Sequence, residues 1–179
     1  MLKTIAVLLL LVFSLGLHGC VSDGSALQSY IDSKDGYEFL YPKGWLPVQV
    51  TDGPDIVFHD LIEQTENVSV VVNPIPQGKT LTDLGTPGEV GYKLQKNVLA
   101  PANSNRQVEL VNAQARESGD KSYYILEYSV KLPNQKRHDL ATVAISHGKL
   151  YTLNVSTTEK RWNKVQDLFK QIITSFSVY

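Results

Sequence analysis

The sequence has a single cysteine among 179 residues, and its charges nearly cancel, with 17 Lys and Arg against 18 Asp and Glu. One cysteine excludes an internal disulfide framework and a zinc site built only from thiolates. The lack of a basic excess argues against a general nucleic-acid-binding protein, so no nucleic-acid partner is expected. The chain is nevertheless long enough for one domain with a real core, because a chain of about 150 residues buries roughly 70% of its unfolded surface.

Motifs that carry catalysis are also missing. The sequence contains no Gly-x-Ser-x-Gly, His-Glu-x-x-His or Cys-x-x-Cys pattern. Gly78-Lys79-Thr80 matches only the end of a phosphate-binding loop, because Asn73 stands where the first glycine of that loop belongs. We therefore predict a protein that is not an enzyme and that requires no cofactor.

The one long apolar run lies near the N-terminus, between Ile5 and Leu17. It is shorter than the roughly 20 residues of a membrane-spanning helix, and it fits an export signal. Leu17-His18-Gly19-Cys20 follows and resembles a bacterial lipobox, which implies cleavage before Cys20 and a lipid on its thiol. The alternative is an ordinary signal peptide, cut near Gly19, that leaves an inert thiol.

Three segments follow from this interpretation. Residues 1–19 form a lipoprotein signal peptide, residues 20–35 form a lipidated flexible tether, and residues 36–179 form one folded domain. The tether is predicted because small and polar residues dominate it. Fully extended, it would span about 50 Å.

The folded part begins with short β-like segments and continues with longer ones. The alternation of apolar and polar residues predicts strands at 36–41, 45–50, 56–58, 68–72, 107–117, 122–132, 138–147 and 149–158. Pro47 places its strand at an edge or a bulge. The last four strands must be antiparallel neighbours, because short turns cannot connect parallel strands.

Two helices are predicted between and after these strands. Thr86, Pro87 and Glu89 form a capping pattern, and Val90, Leu94 and Val98 then follow as a core-facing stripe. A second helix begins near Glu159, and its apolar stripe consists of Trp162, Val165, Phe169, Ile172, Ile173 and Phe176. We predict an α+β fold, in which helices cover a mostly antiparallel sheet.

A series of short segments resembles the PsbP family of photosystem II accessory proteins. Their order and spacing span nearly the whole predicted domain. The segments are Asp35-Gly-Tyr-Glu-Phe-Leu-Tyr-Pro-Lys-Gly-Trp45, Asn67-Val-Ser-Val70, Leu81-Thr-Asp-Leu-Gly-Thr-Pro87, Tyr123-Tyr124, Arg137-His-Asp-Leu140, Gly148-Lys-Leu-Tyr151, Lys160-Arg-Trp162 and Thr174-Ser-Phe-Ser-Val178. With the lipobox, the chain is similar to the cyanobacterial lipoprotein branch of that family.

This resemblance implies both a fold and a function. The fold is an αβα sandwich around an antiparallel sheet, of the PsbP/Mog1p type. The function is that of a monomeric accessory protein, lipid-anchored on the lumenal side of the thylakoid membrane, whose partners are photosystem II subunits or assembly intermediates. It would aid assembly, repair or stabilisation of the oxygen-evolving complex. Plant members help retain calcium and chloride. The sequence lacks the longer N-terminal extension that plant members use in binding the photosystem, which argues against ion retention here.

His138 is the candidate metal ligand. A tight turn at Gly148 would place Thr157, Thr158 or Glu159 opposite His138 on the neighbouring strand. An imidazole beside a carboxylate can bind zinc or manganese. The family resemblance also associates a metal with the histidine at this place and with the acidic residue before Lys160-Arg161-Trp162, which is Glu159. The alternative is a surface histidine in a polar cross-strand pair.

A second functional class also fits the sequence. A lipoprotein of the cell envelope could bind a small ligand or a metal, with Tyr37, Trp45, Tyr123 and Tyr151 lining a pocket. Aromatic residues on alternating strands are more often core residues. A deep, enclosed pocket would favour the ligand-binding alternative, and shallow surfaces would argue against it.

Overall fold

The structure is a computed structural model, and it describes residues 26–51 and 53–179. The predicted signal peptide and Cys20 lie outside the described residues. Within these residues, no helix has both the length and the apolar character needed to cross a bilayer.

Two antiparallel sheets form the framework. The larger has seven strands in the order β3-β4-β5-β9-β8-β7-β6, and the smaller has the order β1-β2-β10. The strands are β1 Leu27–Asp32, β2 Tyr37–Pro42, β3 Leu46–Val48, β4 Ile56–His59, β5 Asn67–Pro74, β6 Gln107–Ser118, β7 Lys121–Lys131, β8 Lys136–Ser146, β9 Lys149–Thr158 and β10 Ser177–Val178. The helices are α1 Leu81–Leu84, α2 Pro87–Leu94 and α3 Glu159–Ser175, and a π-helical turn, Gln95–Leu99, continues α2.

Each face of the large sheet has its own core. Helix α3 and the small sheet cover one face, where all six residues of the predicted stripe are buried. Helices α1 and α2 cover part of the other face, above Leu126, Tyr128 and Val143. Three layers therefore enclose two cores, which confirms the predicted α+β sandwich.

The capping pattern at the start of α2 is confirmed. The Thr86 hydroxyl accepts a hydrogen bond from the Glu89 amide at 3.3 Å, and the Glu89 carboxylate accepts one from the Thr86 amide at 2.8 Å. Pro87 occupies the first turn, where its missing amide proton costs nothing. The predicted stripe is wrong at Val98, which is 60% exposed, because the π-helical turn changes the helical period before that residue.

The predicted tether is wrong from residue 27 onwards. Residues 27–32 form β1, which pairs with β2 from Leu27 opposite Pro42 to Asp32 opposite Tyr37. Leu27 is buried, and the Tyr30 ring lies 5.4 Å from the ring of Phe39. The domain therefore includes β1 and does not begin at residue 36. Along this strand the exposed Ser29 and Ile31 alternate with the partly buried Gln28, Tyr30 and Asp32.

The edge position of Pro47 is confirmed. Strand β3 is the outer strand of the large sheet. Proline has no amide proton to donate to a neighbouring strand, and an edge strand tolerates this because only one of its sides is paired. The opposite edge is β6, and its pairing with β7 is interrupted by a bulge at Val111. The two edges are about 30 Å apart, because six interstrand steps of roughly 4.8 Å separate them.

Candidate functional site

The β8–β9 hairpin positions the candidate metal ligand. His147 and Gly148 form its turn with positive φ angles of 48° and 71°, as a tight two-residue hairpin turn requires. The resulting register pairs Ser146 with Lys149 and His138 with Thr157. The sequence-based prediction that His138 lies opposite residues 157–159 is confirmed.

His138 lies between two carboxylates on different elements. Its Nδ1 is 3.2 Å from Oε2 of Glu159 in the first turn of α3, and its Nε2 is 2.7 Å from Oε1 of Glu127 on β7. Its ring stacks on Trp162, with centroids 3.8 Å apart and an interplanar angle of 12°. We call these four residues the His138 cluster.

The alternative of a surface histidine is wrong, since His138 is only 6% exposed. Trp162 covers one side of the ring because it follows Glu159 by three residues, so both side chains lie on the same side of α3. The imidazole is therefore fixed by a stacking contact and by two polar contacts.

Protonation decides what this cluster can do. Only the imidazolium form of histidine donates hydrogen bonds from both ring nitrogens. In the neutral form, one nitrogen of His138 would present its lone pair to a carboxylate. The lone pair of that nitrogen and those of the carboxylate oxygen would repel each other. A proton or a metal ion between the nitrogen and the oxygen would remove that repulsion.

The geometry around Nδ1 is compatible with a shared metal ion. Ligand atoms about 2.1 Å from a tetrahedral zinc lie about 3.4 Å from each other, close to the 3.2 Å between Nδ1 of His138 and Oε2 of Glu159. Glu127 would then accept the proton on Nε2, as carboxylates commonly do for metal-binding histidines. Glu127 is not a third ligand, because it faces the other ring nitrogen.

Sequence reasoning missed Glu127. It lies on β7, two residues along from Ser129, the residue that pairs with His138. Register at that hairpin depends on the longer turn between Lys131 and Lys136, so no short motif specified the contact. The sequence signal that could have found this contact is the register of the β7–β8 hairpin, counted back along β7 from the turn.

An ion-pair network adjoins the His138 cluster. Arg161, on α3, contacts Glu63 at 2.9 Å and the buried Glu66 at 2.5 Å. Glu66 also accepts a hydrogen bond from the hydroxyl of Thr157, the residue opposite His138. This network ties the start of α3 to the segment that precedes β5.

A second charged group lies at the turn end of the same hairpin. Oxygen atoms of Asp32, Asp35 and Asp55 lie within 4.8 Å of one another. Lys149 forms an ion pair with Asp35 at 2.9 Å, and the hydrogen bond from its ammonium group lowers the pKa of that carboxyl. We call these four residues the Asp35 cluster. The sequence did not predict it, because its members come from three separate segments.

The aromatic residues considered for a ligand pocket are core residues. Tyr37, Trp45, Tyr123 and Tyr151 are each at most 5% exposed, and they pack in the core beneath α3. Three clefts among the described residues have volumes of about 200 to 380 Å³, and none of these four side chains lines any of the three. The arrangement counts against the small-ligand alternative.

Comparison with known proteins identifies the family. The PsbP family model matches residues 25–178, which is most of the chain. The chain belongs to the PsbP family. The match begins at residue 25, so β1 lies within the PsbP domain, as the structure indicates.

Relatives from cyanobacteria match nearly the whole chain. A protein named CyanoP from Thermosynechococcus vestitus is 54% identical over 95% of this chain and 95% of its own length. CyanoP from Synechocystis sp. is 50% identical over 99% of this chain and 97% of its own length. The solution structure of the Synechocystis protein superposes with a TM-score of 0.76, covering 91% of this chain and 99% of that one.

The PsbP segments recognised in the sequence meet at the two charged clusters. Arg137-His-Asp-Leu140 and Lys160-Arg-Trp162 meet at the His138 cluster. The segment that begins at Asp35 meets Gly148-Lys-Leu-Tyr151 at the Asp35 cluster, where the Tyr151 hydroxyl donates to the Asp35 carbonyl at 2.7 Å. Segments far apart in the PsbP sequence thus form two compact sites.

Proposed function

We propose that this chain is an accessory protein of photosystem II, held by a lipid on Cys20 at the lumenal side of the thylakoid membrane. It aids assembly, repair or stabilisation of the oxygen-evolving complex, and it acts as a monomer without catalysing a reaction. The observation that carries the proposal is the near full-length similarity to CyanoP proteins, at 50% and 54% identity.

The organisation of the polar side chains supports a binding role. The carboxylates of the His138 cluster and of the adjoining network contact histidine or arginine side chains that also hold secondary-structure elements together. Among the described residues, Ser and Thr hydroxyls near the His138 cluster contact Glu66, Asp139 or Arg137 rather than an imidazole base. Acyl transfer needs a nucleophile paired with a base that a third group orients. The Ser146 hydroxyl does lie 2.9 Å from Nδ1 of the adjacent His147 at the hairpin turn, but no carboxylate of the described residues contacts that ring.

Affinity isolation tests the proposed partner. A tag placed after Tyr179 leaves the N-terminus free, and thylakoids would be solubilised with a mild detergent. Recovery of photosystem II subunits with the tagged chain is the expected result. Recovery of an intact, folded chain without any of those subunits would refute the proposed association.

Fractionation tests the proposed anchor separately. Cys20→Ser removes the thiol that would carry the lipid, so the chain should move from the membrane fraction to the soluble fraction. The folded domain should be unaffected, since Cys20 precedes the PsbP match, which begins at residue 25. Equal membrane retention of both proteins after a carbonate wash would exclude the lipid anchor.

We also propose that His138 and Glu159 bind a divalent ion, zinc or manganese, as an additional property of the same domain. The supporting observations are the 3.2 Å separation of their ligand atoms and the position of Glu127 on the other ring nitrogen. Two protein ligands make a weak site, so water molecules would complete the coordination. The metal would stabilise the start of α3 against β8.

A further inference from the structure

An exposed apolar surface lies at one edge of the domain. Five of the eleven large apolar side chains that are exposed among the described residues are concentrated there. We call this surface the β3–β4 rim, and it consists of Leu46, Val48, Val50, Leu61 and Ile62. Ile62 is 90% exposed, the highest value among them, so folding of the domain does not account for an apolar residue at this position.

The loop that carries Leu61 and Ile62 is held in place. One oxygen of Asp60 accepts hydrogen bonds from the amides of Ile62 and Glu63, at 2.6 and 2.7 Å. The other accepts a hydrogen bond from the indole of Trp45 at 2.9 Å. The amide hydrogen bonds lower the pKa of Asp60, so its carboxylate remains charged and keeps the loop shape at neutral pH. The two aliphatic side chains are therefore presented to solvent on an ordered turn.

Strand β1 begins beside this rim. The carbonyl of Ala26 accepts a hydrogen bond from the amide of Lys43 at 2.8 Å, and Trp45, which holds the loop, follows two residues later. Leu46, the first rim residue, comes next and pairs with His59, just before the loop. The start of β1 and the rim thus lie at the same corner of the fold.

The link between Cys20 and this corner is short. Because β1 belongs to the domain, only the residues between Cys20 and Ala26 separate the lipid from the fold, and they span about 20 Å at full extension. The tether of residues 20–35 would have allowed about 50 Å. A lipid on Cys20 therefore keeps this corner close to the bilayer.

We propose that the β3–β4 rim inserts its aliphatic side chains into the lipid headgroup region and so fixes the orientation of the anchored domain. The proposal rests on the lipid anchor proposed above. Apolar side chains commonly enter a bilayer interface to a depth of about 5 to 10 Å. The short link to Cys20 favours lipid over a protein partner, because it holds the rim within about 20 Å of the lipid anchor. The opposite edge of the sheet, about 30 Å away, would face the lumen.

Cysteine labelling of the full, lipidated chain tests this orientation. A lipid on Cys20 would leave no free thiol, so Ile62→Cys and Val98→Cys would each offer a single site for a fluorescent maleimide. Val98 is the matched control, since it is 60% exposed and lies in the π-helical turn packed beside β6, at the far edge. The labelled proteins are reconstituted in phosphatidylcholine vesicles that contain a nitroxide-labelled lipid.

The expected result is a strong loss of fluorescence for the dye at residue 62 and little loss for the dye at residue 98. Adding Leu61→Asp to Ile62→Cys should restore the fluorescence, because a carboxylate resists insertion. Equal quenching at both positions would overturn the orientation. A dye at residue 62 that is exposed to solvent in pure lipid vesicles, but shielded from solvent in membranes that contain photosystem II, would show that the rim binds a protein partner instead of lipid.

The unsubstituted chain separates this inference from the anchor. If it incorporates the maleimide dye, Cys20 is a free thiol, and the anchor fails together with the orientation that depends on it. If it incorporates no dye and is bound to vesicles, while residue 62 is unquenched, the anchor stands and the rim inference alone fails. Association with photosystem II is measured by the isolation experiment and is independent of both results.

Discussion

The two ends of the β8–β9 hairpin carry charged clusters of different design. The His138 cluster lies at the open end and the Asp35 cluster at the turn end, about 30 Å away at a strand rise of 3.4 Å per residue. At the open end, two carboxylates contact one buried imidazole that stacks on Trp162. At the turn end, the contact is a partly exposed ion pair between Lys149 and Asp35.

The difference indicates which end can respond to a ligand. Lysine keeps its charge over the whole physiological range, so the Asp35 cluster has one state there. Histidine is a common metal ligand, so the His138 cluster offers a ring nitrogen to the divalent ion proposed above. We interpret the ion pair at the turn end as a structural contact that holds the hairpin to the Asp35 segment. We interpret the open end as the site where a bound ligand would change the contacts of the domain.

Removing the imidazole should have the largest effect on stability. His138→Ala leaves a cavity beside Trp162 and two carboxylates without their partner, which should lower the free energy of unfolding by about 3 kcal/mol. His59→Ala is the control, because His59 is only partly buried and a change below about 1 kcal/mol is expected. Urea denaturation of both variants measures the difference. Equal stabilities would mean that the stacking and polar contacts of His138 contribute nothing.

The Asp35 cluster should be more sensitive to its backbone than to its charges. Gly36 has a φ of +79°, and an added Cβ would lie 2.9 Å from the carbonyl oxygen of Tyr179. Gly36→Ala should cost about 2 kcal/mol from the disfavoured backbone conformation and the contact with the C-terminal residue.

Gly78→Ala separates these two contributions. Gly78 has nearly the same φ, +78°, but nothing lies within 4 Å of an added Cβ. It should therefore lose only about 1 kcal/mol, the cost of the backbone conformation. If thermal unfolding gives the same loss for both variants, the close approach of the C-terminus to Gly36 is not a packing constraint.

Metal binding should distinguish the two clusters next. Zinc should bind the intact chain, and His138→Gln or Glu159→Gln should weaken binding at least about tenfold, equivalent to about 1.4 kcal/mol. Glu127→Gln should have a smaller effect, because its carboxylate orients the ring and does not contact the ion. Titration calorimetry with zinc and with manganese measures these affinities. An affinity that is unchanged in His138→Gln, but lost in Asp35→Asn, would move the site to the other end of the hairpin.

The ion pair at the turn end should give the smallest effect, visible mainly in acid. The hydrogen bond from Lys149 lowers the pKa of Asp35 below its ordinary value of 3.8. Because the folded-state pKa is the lower one, the stabilisation is present above the unfolded-state value and is lost as the pH falls through the folded-state value.

Replacing the lysine should remove part of this acid dependence. Lys149→Met raises the pKa of Asp35 towards its ordinary value of 3.8, so less stability is lost as the pH falls below that value. Urea midpoints over a pH series, with the exposed Lys164→Met as the control, measure this change. Identical pH profiles of the intact chain and Lys149→Met would show that the pair is fully screened by solvent.

Periodicity and turn chemistry predicted most of the fold. The single turn at Gly148 determined the pairing of His138, and the spacing of Trp162, Val165 and Phe169 identified the buried face of α3. Both features depend on local rules that a sequence displays directly. The capping pattern at Thr86 was predictable for the same reason.

Features that depend on distant partners were not predictable in this way. Strand β1 has a polar composition, and it is ordered because β2 offers an edge for Leu27 and Tyr30. Glu127 reaches His138 only through the register of a hairpin whose turn is long. The π-helical turn that exposes Val98 departs from the regular period on which the prediction relied. For β1 and Glu127, tertiary pairing outweighed the local pattern.

Crosslinking mass spectrometry on intact thylakoids tests the central claim, association with photosystem II, most directly. Crosslinks would be formed before detergent is added, with the tagged chain at its natural abundance and Cys20→Ser as the control for membrane proximity. The account predicts crosslinks from the folded domain to lumenal parts of photosystem II subunits, and fewer of them in the control. Crosslinks to other membrane complexes alone, with an anchored and folded chain, would contradict it.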